Sequence, residues 1–239
     1  MSDTDLHFWF DPVCPFAWMT SKWVRKVAAQ RDYAVDWRLF SLRLLNSHLD
    51  YDANFPPEYE AGHTAGLRLL RVAARARAEY GREAVGPLYE AFGSHIFELP
   101  PGPDVPSRLD SGDLLPAVLA AAGLRQELAG ALQDESWDTE IRAETDEALA
   151  LTGKDVGTPI LHFEPPTGVA FFGPVISRLP SDAEALELWD HVIALARFSG
   201  FAELKRSLRE LPQLPALGVG EQDIGVQEDW HAGSRRQHS

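Results

Sequence analysis

Cysteine is nearly missing from this chain: Cys14 stands alone among 239 residues. A single thiol cannot close an intramolecular disulfide, so any redox cycle must pass through an external thiol. The eight histidines are scattered and Cys14 has no ligand partner at coordinating spacing, so no metal site is expected. Basic side chains are scarce as well. Lys and Arg number 22 against 36 Asp and Glu, for a net charge of −14. Nucleic acid and anionic membrane surfaces both demand a basic patch, so neither is an expected partner. No stretch approaches the roughly 18–20 apolar residues of a membrane span. Residues 1–5 are polar and acidic, with no basic region before the first apolar run. No export signal is therefore expected, and the cytoplasm is the expected compartment, where small thiols keep a cysteine reduced. Gly218-Val219-Gly220 follows no strand and opens no helix, which excludes a phosphate loop.

The residues that are present suit a soluble globular chain, with enough apolar content for one large domain or two small ones. Leu6–Phe10 is short and almost wholly apolar, and predicts a buried strand. From Pro15 to about Gln30, Phe16, Met19, Trp23 and Val27 recur at helical spacing. Tyr33–Phe40 alternates through Val35, Trp37 and Leu39 and predicts a second strand. Strand, helix, strand in that order implies a right-handed crossover and a parallel pair. Residues 41–57 read as a polar loop. Helices then run from Glu58 to about Ala150, clearest over Glu58–Tyr80, Pro87–Glu98 and Gly112–Ala122, with a break at Pro100-Pro101-Gly102-Pro103. A helix over Glu135–Leu151 stops at Gly153. Pro159–Phe163 and Val169–Phe172 predict an antiparallel hairpin. Ser181–Phe198 is a regular helix, with Ser181 and Glu184 matching a capping box. A short helix over Phe201–Glu210 is expected next, and the Gly- and charge-rich tail 218–239 reads as disordered. Neither end has enough strands alone. The expected domains are 5–56 joined with 151–212, interrupted by a helical insert at 57–150.

Cys14 stands where the first strand hands over to a helix headed by Pro15. Proline suits that position because its missing N–H would have no intrahelical partner. The helix N-terminus favours negative charge, so a thiolate of lowered pKa is expected. The plainer alternative is a small buried apolar residue.

The string Asp11-Pro12-Val13-Cys14-Pro15-Phe16-Ala17-Trp18, with Val156-Gly157-Thr158-Pro159 much later, resembles the DsbA-like family. The resemblance implies an α/β, thioredoxin-like fold with an inserted helical domain. It further implies that Pro159 is a cis-proline facing the sulfur, that Thr158 offers its backbone to substrate, and that the insert roofs the cysteine. More closely, Phe8–Pro12, Cys14-Pro15, Trp18, Trp23 and the loop Ser41–Asn46 resemble the actinobacterial mycothiol-dependent nitroreductases. That branch implies an oxidoreductase with a low-molecular-weight thiol, mycothiol or similar, as co-substrate and no tightly bound cofactor. The family motif is Cys-Pro-Trp-Cys, whereas this chain has alanine, Ala17, in place of the resolving cysteine.

The candidate site therefore comprises Cys14 as nucleophile, with Pro15, Phe16, Asn46, Tyr59, His95, Thr158 and Pro159 binding substrate or thiol. Phe16 is either exposed at the motif, where it could stack on an aromatic substrate, or packed in the core. Asn46 ends the loop after the second strand, near the edge where α/β sheets place ligands. His95 is a proton donor or acceptor, or else a satisfied half-buried histidine. His7 reads as a strand residue without chemistry. Glu144, Asp146 and Glu147 read as a solvated helix face, and Arg68, Arg71, Arg75 and Arg77 as a solvated face or a basic patch that attracts an anionic cofactor carboxylate. The expected function is a monothiol oxidoreductase or thiol transferase acting on small electrophilic, disulfide or nitroaromatic substrates. The alternatives are a thiol-dependent isomerase or transferase, resembling 2-hydroxychromene-2-carboxylate isomerase or the kappa-class glutathione transferases, and a non-catalytic ligand-binding protein. A homodimer is an open assembly.

Overall fold

Leu6–Phe10 forms β1, with every side chain but His7 fully buried. α1, Pro15–Ala28, leads to β2, Val35–Leu39, which pairs parallel to β1 with Phe8 beside Trp37. Phe16, Met19, Trp23 and Val27 are all buried, so the predicted helix face is the one that packs. From the other end of the chain, β3 (Ile160–Phe163) joins β1 antiparallel, and β4 (Ala170–Phe172) returns on β3 as a hairpin. A Cβ at Gly168 in that hairpin turn would lie 1.8 Å from the Phe163 carbonyl oxygen, so the turn requires glycine. The sheet order is β2-β1-β3-β4, one sheet drawn from both ends of the sequence. This is a computed structural model describing residues 4–56, 58–100, 109, 112–231 and 234–235.

Between β2 and β3 lie α2 (Leu42–Leu45), α3 (Tyr51–Asn54), α4 (Glu58–Tyr80), α5 (Val85–Phe97), α6 (Leu115–Ala121), a 3-10 segment (Gln126–Gln133) and α7 (Asp138–Thr152). The expected polar loop 41–57 is thus corrected. Ser41 and Asp50 each accept a backbone N–H and cap a one-turn helix. The helix expected from Gly112 begins at Leu115, because Gly112 holds φ +74, outside the helical region. The break at Pro101–Pro103 lies outside the described residues. α8, Asp182–Arg197, carries the expected capping box and packs on α1 through Trp23 and Trp189, ring centroids 5.2 Å apart.

The acidic face read as solvated is corrected at Glu144. This residue is buried and accepts the Leu39 N–H at 2.9 Å, with Arg38 and Arg77 guanidinium groups on its other oxygen. Glu147 holds the far side of Arg38. The arginine series is corrected too. Arg71 is buried and forks onto Asp138, and Arg77 bridges Glu140 and Glu144, whereas Arg75 keeps to the exposed face in an i,i+4 pair with Glu79. Arg71 and Arg77 turn inward to join α4 to α7, and Glu144 carries that network on to Arg38 and Leu39 of β2.

The C-terminal expectations are overturned. Residues 201–206 are irregular, and Leu208–Glu210 forms β5, antiparallel to β6, Gln227–His231, which pairs in turn with β7, Ser234–Arg235. A helix over Phe201–Glu210 would have no apolar face to bury: Leu204 and Leu208 are both exposed. Of the tail read as disordered over 218–239, the described residues supply β6 and β7, and Glu210 ties them down by accepting from the Ser177 hydroxyl and the Gly225 N–H, while 232–233 and 236–239 lie outside the described residues. Among the described residues, no helix is long and apolar enough to cross a membrane.

Candidate active site

Cys14 is the N-cap of α1. Its backbone is extended, at φ −82 and ψ 112, and its Sγ accepts the Ala17 N–H at 3.4 Å. The thiol donates to the carbonyl oxygen of Thr158, also at 3.4 Å, across 144 residues of sequence. The Thr158–Pro159 peptide bond is cis, and both residues are buried. The fold therefore brings Cys14, Pro15, Thr158 and Pro159 to one place, where the start of α1 meets the segment entering β3.

The expected thiolate is corrected. Cys14 is 8% exposed, and burial pushes its pKa above the ordinary thiol value. The Thr158 side chain and the Ala17 and Phe16 N–H groups pull it down, and the Asp11 charge adds to the upward push. Desolvation outweighs the helix terminus, so in this conformation Cys14 is a protonated thiol.

Asp11, quoted in the motif but given no role from sequence, is fully buried beneath the cysteine loop. One carboxylate oxygen accepts the Val13 N–H at 3.1 Å and the other the Leu42 N–H at 2.9 Å, which pins the cysteine loop to the start of α2. Burial raises its pKa from 3.8 to about 7, against those two bonds. Tyr89 of α5 was also missed. It stacks on Phe10 with centroids 3.7 Å apart and lies close enough to feel the charges of Cys14 and Asp11.

Phe16 is the packed residue, not the exposed platform. It is 5% exposed, because β5 folds over it and sets the Arg209 guanidinium 5.7 Å from its ring centroid. Asn46 and Tyr59 fall in a second cluster. The Asn46 side chain bonds to Tyr51, the Tyr51 hydroxyl lies 3.0 Å from His63 Nδ1, and Tyr59 packs on Phe55 and His63. Burial and the nearby Arg43 lower the His63 pKa to about 4, so this imidazole is neutral. Tyr51 senses the Asp11 charge, and Gly66, one turn beyond His63, lies against Asp11 and Val13. The cluster thus borders the cysteine loop from the insert. Tyr51 and His63 were missed, although Tyr59, His63 and Gly66 share one face of α4 by their spacing. His95 takes another place: its Nδ1–H donates to the Ala91 carbonyl at 2.8 Å, within its own helix. Among the described residues it makes no hydrogen bond to Cys14, Thr158 or Asp11.

His7 is a residue of β1, as read. It lies 3.3 Å from Arg38, and burial with that neighbouring charge lowers its pKa to about 4. No group of three or more His, Cys, Asp and Glu among the described residues is arranged to hold a metal ion.

A sheet drawn from both ends of the chain and interrupted by a helical insert, with a cysteine capping the first helix and facing the cis Thr158-Pro159 bond, defines a thioredoxin-like fold with an inserted helical domain. The chain belongs to the family of the mycothiol-dependent nitroreductase Rv2466c, whose pattern matches residues 13–206. It is 32% identical over 217 residues to the protein Rv2286c of Mycobacterium tuberculosis, covering 89% of this chain and 84% of that one. Among solved structures it is similar to a proposed protein-disulfide isomerase from Pseudomonas syringae, with 17% identity, TM-score 0.44, and 76% and 90% of the two chains covered. It is also similar to 2-hydroxychromene-2-carboxylate isomerase, with 12% identity, TM-score 0.42, and 80% and 96% covered. The member that gives the family its name depends on mycothiol, a low-molecular-weight thiol.

Proposed function

We propose that this enzyme runs a monothiol cycle in which mycothiol resolves a mixed disulfide on Cys14. With a disulfide substrate, the Cys14 sulfur attacks one substrate sulfur. A Cys14–substrate disulfide forms and the other half leaves as a thiol. Mycothiol then attacks that bond, releasing Cys14 as a thiol and a substrate–mycothiol disulfide. With a nitroaromatic substrate, Cys14 and one mycothiol supply two electrons and two protons between them and become joined as a disulfide. The nitro group becomes a nitroso group and water, and a second mycothiol frees Cys14. The observation that carries the reading is the sulfur at the N-cap of α1, held between the Ala17 N–H and the Thr158 carbonyl, with alanine where a resolving cysteine would stand. Asn46 and Tyr59, with Tyr51 and His63, are the residues we assign to the thiol and substrate on the insert side. Residues 57–150 act as the roof over the 5–56 and 151–212 unit. A cytoplasmic setting, where small thiols are kept reduced, suits the cycle.

A second reading is favoured by one observation: Cys14 is covered and its pKa is raised, as in a site that holds a small thiol without oxidising its own sulfur. Cys14→Ser separates the two. On the oxidoreductase reading the variant loses mycothiol-dependent reduction entirely. Turnover by Cys14→Ser at the wild-type rate would instead establish thiol-dependent isomerisation or transfer.

A further inference from the structure

Arg209 lies outside the residues that the family pattern matches, yet it is close enough to the cysteine for the Cys14 charge to act on it. β5 carries it over Phe16, two residues from Cys14, with the guanidinium 5.7 Å from the ring centroid. The side chain is half-buried. Among the described residues, no carboxylate lies within ion-pairing distance of it, although its neighbour Glu210 is engaged by Ser177 and Gly225. Most other buried or half-buried arginines are ion-paired. Arg38, Arg71, Arg75, Arg77 and Arg197 all hold carboxylates. Burial works against the charge of Arg209, and the negative charge of a Cys14 thiolate works for it. A half-buried guanidinium resting on an aromatic face, with no hydrogen-bond acceptor among the described residues, is suited to a planar anion such as a carboxylate. In a chain of net charge −14, such a cation offsets the general repulsion of anionic ligands where it matters.

We propose that Arg209 is the anion-recognising residue of the Cys14 site, selecting small aromatic substrates that carry a carboxylate. The inference rests on the reading of Cys14 as the reacting residue and names a substrate class for it. A planar anion binds the guanidinium edge while the substrate's thiol-reactive group faces Sγ, and the same cation steadies the thiolate as it forms.

The test compares two aromatic disulfides, dianionic dithiobis-nitrobenzoate and neutral dithiodipyridine, reacting with the full-length protein. In each reaction the Cys14 thiolate attacks one sulfur, a mixed disulfide forms, and one aromatic thiolate leaves carrying the electron pair. Arg209→Gln should lower the anionic-to-neutral rate ratio about tenfold, the scale of one charge-assisted hydrogen bond, and Arg209→Lys should retain part of the preference. An unchanged ratio in Arg209→Gln overturns the proposal. A parallel measurement does not depend on sulfur chemistry: tryptophan quenching of Cys14→Ser by nitrobenzoate and by nitrobenzamide. Tighter binding of nitrobenzoate that disappears with Arg209→Gln supports the assignment. Equal binding of the two, binding of neither, or a preference that survives the substitution overturns it. Failure of Cys14 to form any mixed disulfide would sink the redox cycle while leaving the nitrobenzoate comparison to decide the role of Arg209.

Discussion

At the scale of single residues, two buried acids control the site. Cys14 is held as a thiol because its surroundings cannot solvate a charge. Its alkylation at neutral pH is therefore expected to be slower than that of a free thiol, and the pH profile should inflect above 9.0, the value from which burial raises it. Stopped-flow alkylation across pH checks this, and an inflection below pH 8 would show an activated thiolate instead. Asp11 gives a linked stability effect. Its folded pKa, about 7, lies above its unfolded value of 3.8, so the folded state holds the proton more tightly. That contribution is fully present below pH 3.8 and is lost as pH rises to about 7. Asp11→Asn has no such proton to lose. It also gives up one of the two acceptors that meet Val13 and Leu42, so it is less stable than wild type at low pH. Its deficit should shrink steadily between pH 4 and 7, as read from denaturant midpoints at each pH, and a constant deficit would contradict the assignment.

At the scale of elements, two glycines set how closely the insert approaches the sheet domain. A Cβ on Gly93 of α5 would lie 2.1 Å from the Trp18 ring, and one on Gly66 of α4 would lie 2.5 Å from an Asp11 oxygen. Gly93→Ala should destabilise the protein by about 1–3 kcal/mol through overpacking, measured by urea unfolding. Gly66→Ala should push on the cysteine loop and change the Cys14 alkylation rate more than it changes stability. The elements legible in the sequence were those whose pattern is local. α1 announced itself through Phe16, Met19, Trp23 and Val27, and α8 through Ser181 and Glu184. The start of the site was legible for the same reason, since Cys14 and Pro15 adjoin a clear strand. Thr158 and Pro159 came through resemblance to a family. β5 was not legible: Leu208–Glu210 becomes a strand only by pairing with Gln227–His231, and a three-residue segment carries no period that foretells such a partner. Arg209 was hidden with it.

At the scale of the whole molecule, the insert and the sheet are joined by buried charge. Glu144 looked solvated because Asp146 and Glu147 flank it, and its partners Arg38 and Arg77 stand 106 and 67 residues away. Glu144→Ala would leave the Leu39 N–H and part of two guanidinium groups without their acceptor. A loss of about 3–5 kcal/mol is expected for breaking a buried pair on one side, seen as a lower unfolding midpoint; a loss under about 1 kcal/mol, the range of exposed pairs, would show that the network is not coupled to folding. The same network keeps α4, and with it His63 and Gly66, against the cysteine loop. The central claim is that this arrangement leaves one sulfur able to exchange. The direct measurement is the intact mass of the native protein after incubation with the oxidised disulfide of mycothiol. The account predicts one added mycothiol, located at Cys14 and removed by excess reduced thiol. An unmodified native mass, with the same cysteine modified only after unfolding, would contradict it.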